Sequence, residues 1–475
     1  MSRLNRFKGL SRRDFLRLSG GGLGAAAFGA SRMGHMSWLK PSYLQDATEE
    51  PGPDPATMTG HVLIWGYNGT IDHYIAAKDG LEAKYPGLTI ETQQFGYLDA
   101  HANILNALNS GVGIPDLCNF DVDYVGDFAD GMADLTERMV PYADKFEPIA
   151  LKLAGRDGKL LGMPQDNEPV GFVYRKDIFD KYGITEDDLA TWEGFIEAGK
   201  KLWKDSGNTI HMIAMDSPGS QLPLGGAPHQ NHEAFLHEAG FPGVFFNKED
   251  DTVIIDTPEA IAGIEVFKSI CDPDVALIFQ DPNATIAAYK AGLVASQICP
   301  AWYPLGMRGT LTPQPGADGS APPPDAVDQT GLWRIMRLPA LKEGGQRWAF
   351  HVPTVTGIPL QAANPDAAWG ILYEAQLTKA AQLKFNQVTN GILVTQLDAL
   401  AELDDKPIDF FGGQKIYHFW ADVLKDIPDV YFGSGWVEAR AILTSGIEPI
   451  MRGEVSVADG LKTAADSMRT QLGKS

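Results

Sequence analysis

From residue 60 onward the chain alternates short apolar runs with amphipathic stretches. His61-Val62-Leu63-Ile64-Trp65 has the length of a buried strand, the stretch up to Tyr85 reads as a helix stopped by Pro86-Gly87, and Leu88-Thr89-Ile90-Glu91 reads as a second strand. Strand, helix and strand at this spacing predict a parallel βαβ unit. The loop Gly66-Tyr67-Asn68-Gly69-Thr70 then falls at the C-terminal edge of a sheet, where ligands tend to bind. Tyr67 and Asn68 are therefore candidates, although Asn and Gly together also make an ordinary turn. A second helix, roughly Ala100 to Ser110, leads to Pro115-Asp116-Leu117 and then to Phe120-Asp121-Val122-Asp123-Tyr124. Here Asp121 and Asp123 suit the hydroxyls of a polyhydroxylated ligand and Tyr124 suits the apolar face of a sugar; a solvated acidic loop fits the same residues.

The most informative pattern runs from Asp157 to Trp203. It opens with an Asp157-Gly158 turn and a short apolar segment, Leu160-Leu161-Gly162-Met163. The polar run Pro164-Gln165-Asp166-Asn167-Glu168-Pro169 separates that segment from the strand-like Val170-Gly171-Phe172-Val173-Tyr174. Two prolines stiffen the polar run and its four polar side chains have no evident core to enter, so it reads as a crossing between two sheets, a hinge beside a cleft. A helix stopped by Gly183 follows. Thr191 opens another, with Trp192, Phe195, Ile196, Gly199, Leu202 and Trp203 at helical spacing. Lys200, Lys201 and Lys204 gather at its C-terminal end, which the helix dipole makes favourable for cations.

Farther on, Ile261, Ile264 and Phe267 mark an amphipathic helix after Pro258, and Gly292 to Ile298 reads as a strand running into Cys299-Pro300-Ala301-Trp302-Tyr303-Pro304. Residues 309–330, rich in Pro, Gly and Asp, read as an exposed loop before the chain returns through Trp333 to Leu338. Tyr431-Phe432-Gly433-Ser434-Gly435-Trp436 precedes a helix carrying Glu438 and Arg440; glycines beside an aromatic ring let backbone approach a ligand, and also make a flexible turn.

Size and charge narrow the class. At 475 residues the chain is too long for one ordinary core, so two lobes are expected, and no apolar run is long enough to span a membrane. The net charge is −22; residues 1–17 hold six basic side chains and one acid, so the remainder carries −27. That argues against nucleic acid or an anionic membrane as a partner. An acidic, solvated surface accounts for it, and the net charge by itself implies no cationic ligand. Cys118, Cys271 and Cys299 are too few and too scattered for a disulfide framework or a zinc site and read as small apolar residues, with oxidation of one pair left open. His211, His229, His232 and His237 with Glu233 raise a metal site, but the spacing serves it poorly and surface polarity accounts for them better; no metal or cofactor is expected.

Ser11-Arg12-Arg13-Asp14-Phe15-Leu16-Arg17 leads into a weakly apolar run, Leu18 to Ala30, rich in Gly and Ala. Paired arginines, Phe-Leu and such a run resemble a twin-arginine export signal over residues 1–30, with cleavage near Ala27 to Ala30 and residues 31–59 as a linker. No cysteine follows the run, so the usual lipoprotein anchor is not expected.

Leu81-Glu82-Ala83-Lys84-Tyr85-Pro86-Gly87, Pro115-Asp116-Leu117, Asp157-Gly158-Lys159-Leu160, Tyr174-Arg175-Lys176-Asp177, Thr257-Pro258-Glu259-Ala260 and Asn364-Pro365-Asp366-Ala367-Ala368-Trp369 together resemble the carbohydrate-type (family 1) extracellular solute-binding proteins of ABC importers, in that family's order. The resemblance implies an α/β, two-lobed, periplasmic-binding-protein-like fold of type II, with the ligand cleft between lobes that close on a hinge. It implies residues 60–167 and 302–378 in the first lobe and 168–301 and 379–475 in the second, with crossings at the Asp157–Trp203 stretch and at Cys299–Pro304. Glu168 then floors the cleft as a ligand contact, Trp302 stacks on a sugar, and Trp436 and Arg440 face the cleft. The implied function is a non-enzymatic, monomeric binding protein, exported to a periplasm or outer surface, that delivers a sugar or oligosaccharide to a membrane permease. A polyol, polyamine, peptide fragment or other solute is the alternative. An exported carbohydrate-active enzyme using Asp123 and Glu168 as acid and base is a more distant one, since nothing resembles a nucleophile motif.

Overall fold

A computed structural model describes residues 52–67, 69–216, 231–279, 282–314, 321–322 and 326–475. The export signal, Asn68 and His229 lie outside them.

The βαβ unit forms as its pattern predicts. Strands β1 (Gly60–Tyr67) and β2 (Leu88–Phe95) pair in parallel over their full length, joined by helix α1 (Asp72–Lys84). Helix α2 (Tyr97–Ser110) returns the chain to β3 (Leu117–Asp121), parallel to β1 on its other side. Val62 and Ile64, two apart on β1, face the core, while all of β3 is buried, as expected of a central strand. Asp157 and Gly158 both adopt positive φ (52° and 75°), the backbone of a two-residue hairpin, and Gly155–Arg156 pairs with Lys159–Leu160 around them.

The first crossing is where the prolines place it. Strand β4 (Met163–Pro164) belongs to the first sheet and β5 (Val170–Arg175) to a second, so residues 165–169 pass between the two. The second sheet then grows around α3 (Trp192–Asp205), β6 (His211–Asp216), α4 (Asn231–Glu238), α5 (Pro258–Ile270), β7 (Ala276–Phe279) and β8 (Val294–Pro300). Thr191 caps α3 by accepting from the Gly194 N–H, and Thr257 caps α5, with Pro258 at its first position, by accepting from the Ala260 N–H.

After β8 the structure departs from the expected path. Helix α6 (Tyr303–Leu311) does not lead to the first lobe. The chain instead re-enters the second sheet as β9 (Trp333–Met336), antiparallel to β5, and reaches the first only at β10 (Thr354–Gly357), antiparallel to β3 and β4. The second crossing is therefore residues 337–353, not Cys299–Pro304. The first sheet runs β2-β1-β3-β10-β4 and the second β9-β5-β8-β6-β7.

Two further boundaries shift. The helix Lys379–Val388 packs on α1, and Thr395 donates to the Pro164 carbonyl, so residues 379–396 sit with the first sheet rather than the second. Gln414 then bonds Ile335 of β9, which marks a third crossing before residue 414. Met58, in the stretch read as linker, is buried against Gly370. Helices α7 (Trp436–Met451) and α8 (Val457–Leu472) complete the core of the second sheet with α3, α4 and α5. Cys118 and Cys299 are buried, Cys271 is half-buried, and all three are free thiols.

Candidate functional site

Tyr67 ends β1 and Asp121 ends β3, so the two neighbouring parallel strands deliver an aromatic hydroxyl and a carboxylate to the same edge. The β10 register adds a third member, because Thr354 lies directly opposite Asp121. The Tyr67 and Tyr97 hydroxyls donate to Asp121, Tyr97 at 2.8 Å, and the Thr354 hydroxyl reaches it at 3.3 Å. The Asp121 N–H donates to His101 Nε2 at 3.1 Å, and His101 Nδ1 lies 2.9 Å from the Tyr97 carbonyl, which fixes a neutral tautomer with the proton on Nδ1. Burial pushes His101 down to about 4, consistent with that neutral ring. Tyr124 is stacked on His101 (4.0 Å, 16°), so one of its faces is already covered.

The crossing brings two more carboxylates to this edge. The Thr354 N–H donates to Asp166 Oδ1 at 2.7 Å, so Asp121 and Asp166 hold the same residue by its hydroxyl and its amide. Glu168 is 1% exposed; its backbone carbonyl accepts from the His351 N–H (2.8 Å) and its carboxylate accepts from the Trp302 backbone N–H. Burial drives Asp121, Asp166 and Glu168 upward, Asp166 to about 7, and each of Asp121 and Glu168 is raised further by neighbouring acids. An acid with a raised folded pKa binds its proton more tightly when folded. Its contribution therefore favours the folded form at low pH and is lost as pH climbs from about 4 towards about 7. Asp166→Asn should make stability fall less steeply over that window, read as urea midpoints; an unchanged slope would mean that Asp166 is solvated in solution.

Arg440, on α7, ties this edge to the second lobe. Its guanidinium donates to Asp123 Oδ2 and to Glu233 Oε1, both at 2.7 Å, with Asp123 from the first lobe and Glu233 on α4 of the second. Glu233, His232 and His237 are buried, which overturns the surface reading of this segment. Burial holds His232 near 3 and His237 near 4, neutral at physiological pH. Among the described residues no group of three or more His, Cys, Asp or Glu side chains is placed to hold a metal ion.

The nine candidates thus divide. Tyr67, Asp121 and Tyr124 are linked through Tyr97 and His101, the Asp123–Arg440 pair adjoins them two residues along, and Glu168 on the crossing holds half-buried Trp302 by its backbone N–H. Asn68 lies outside the described residues. Trp436 does not join: it is fully buried, with Phe245 (4.6 Å), Phe432 (4.5 Å) and Phe246 around its ring, so it fills the core of the second lobe. The structure adds Tyr97, His101, Asp166 and Thr354. Tyr97 and His101 stand four apart at the start of the helix after β2, one face at a sheet edge, which was a usable signal. Thr354 carried none, because its role rests on a strand register.

Comparison with known proteins identifies the family. The model for bacterial extracellular solute-binding proteins matches residues 68–382. The chain belongs to that family. Among curated relatives of this solute-binding protein, a lactose-binding protein of Rhizobium radiobacter is 27% identical over 433 residues, 88% of this chain and 94% of that one. An arabinooligosaccharide-binding protein of Halalkalibacterium halodurans is 26% identical over 81% of this chain and 83% of its own length. In fold, it is similar to the GacH receptor of Streptomyces glaucescens, studied unliganded and with acarbose (TM-score 0.67, 17% identity, 87% and 98% coverage). It is likewise similar to an ABC substrate-binding protein of Listeria monocytogenes in complex with cycloalternan (TM-score 0.68, 16% identity, 88% and 100% coverage). The fold of this solute-binding protein is the two-lobed α/β fold of type II.

Proposed function

We propose that this solute-binding protein is the substrate-receiving component of an ABC importer, binding a sugar or oligosaccharide by hinge closure and handing it to a membrane permease. The observation that carries the reading is the group at the first sheet's edge: carboxylates on a crossing and on a strand end, with half-buried Trp302 held to one of them through its backbone N–H. Carboxylates accept hydroxyl protons, an aromatic face covers the apolar face of a pyranose, and closure excludes water from both. The sugar-binding relatives support the same class. Export through a twin-arginine signal puts the chain in a periplasm or on an outer surface, where it works as a monomer without a covalent step.

A thermal-shift screen with lactose, arabinooligosaccharides, maltooligosaccharides and simple polyols should show stabilisation that grows with concentration. No response to any sugar or polyol would overturn the reading. Trp302→Ala should weaken the best ligand about tenfold or more while the unliganded protein melts nearly as before. Equal affinity would remove Trp302 from the site.

A further inference from the structure

We infer that the solute held at this edge carries a protonated amine on its hydroxylated framework, as an amino sugar does, rather than being a neutral saccharide. The inference rests on the sugar-binding reading and sharpens it.

Charge at the site does not balance. Asp121 is met by the hydroxyls of Tyr67, Tyr97 and Thr354, Asp166 by the Thr354 amide, and Glu168 by the Trp302 amide. All of these donors are neutral. Glu168 Oε2, on a residue 1% exposed, has no hydrogen-bond partner among the described residues. Arg440, the guanidinium at this edge, is already shared between Asp123 and Glu233. The internal residues outside the described set (68, 217–230, 280–281, 315–320 and 323–325) include no Lys or Arg. His101 and His351 are held neutral by burial, at about 4 and about 3.

Three carboxylates therefore lie close together with no Lys or Arg among the described residues bonded to any of them. Asp121 and Asp166 hold Thr354 between them, and both push the Glu168 carboxyl further up. A neutral hydroxyl can fill the vacant acceptor on Glu168, but it leaves the charge uncompensated where water is excluded. An ammonium group donates up to three hydrogen bonds and carries the opposite charge, and such bonds are about twice as strong as neutral ones. The competing relief is for the carboxylates to keep protons and to donate to a neutral sugar. The two can be told apart.

Titration calorimetry on the full chain, at neutral pH, where the amines of these sugars are still largely charged and the carboxylates are not driven to take up protons, should use pairs differing only by amine for hydroxyl. Suitable pairs are glucosamine with glucose, galactosamine with galactose, and the β-1,4 disaccharide of glucosamine with cellobiose. The amine member of at least one pair should bind about tenfold tighter or more, and Glu168→Gln should shrink that ratio several-fold. An unliganded melting curve like that of the parent protein would confirm that the variant is folded. Equal or tighter binding of the neutral member overturns this inference and leaves the sugar reading standing. Binding of spermidine, which has no hydroxyls, with no response to either member of any pair overturns the sugar reading and the hydroxylated framework together. Silence from all of them overturns this inference, and the thermal-shift screen then decides the sugar reading by itself.

Discussion

Replacing Arg440 by Met should destabilise the protein by about 3–5 kcal/mol at neutral pH, the cost typical of removing one partner from a buried ion pair. The size follows from what stays behind. Asp123 and Glu233 are both buried, and Arg440 is the group that neutralises each of them. Burial already raises the Glu233 carboxyl, with Asp123 adding to the rise and Arg440 opposing it. Without the guanidinium two acids face each other out of contact with water, and one must take up a proton to be tolerated. Asp123→Asn in the Arg440→Met background should recover part of the loss, so the double-mutant cycle should give a coupling of at least about 1 kcal/mol. Urea unfolding of the four proteins measures it, and additive effects would mean that the contact does not persist in solution. Because Asp123 lies in the first lobe and Glu233 in the second, the same variant should also bind ligand more weakly, through poorer closure.

Trp436→Ala should show the opposite separation of stability from binding. A fully buried indole removed from a packed core costs about 3–5 kcal/mol, so urea should unfold the variant at clearly lower concentration. The folded fraction should bind the ligand with close to the parent affinity, since the ring packs among Phe245, Phe246 and Phe432 in the core of the second lobe. Trp302→Ala is its mirror image, with binding lost and stability kept. If Trp436→Ala weakened binding while leaving the urea midpoint in place, its place in the core would be wrong.

The contrast between these two tryptophans shows how far sequence can be read. Both stand beside turn residues at the start of a helix, and local pattern gives no reason to separate them. What differs is the partner surface. Trp302 follows β8 and rests its backbone on the crossing, whereas Trp436 meets a trio of phenylalanines brought from residues 245, 246 and 432. The histidine segment failed for a related reason. His232, Glu233 and His237 look like a polar surface on a short helix, but Arg440 arrives from about two hundred positions away to pair with Glu233.

What the sequence determined by itself was whatever local chemistry decides. The βαβ unit, the Asp157-Gly158 hairpin, the caps at Thr191 and Thr257 and the proline-bounded crossing at 164–169 all follow from periodicity, turn preference and capping over a few neighbouring residues. Only the tertiary structure decided where β9 pairs, that Thr354 lies opposite Asp121, and that residues 379–396 stay with the first sheet. These depend on strand register and on contacts between segments far apart in the chain. A one-residue slip would exchange the faces of β10 without changing any local pattern. The site is built from such pairings, and so its carboxylates were visible one by one while their convergence was not.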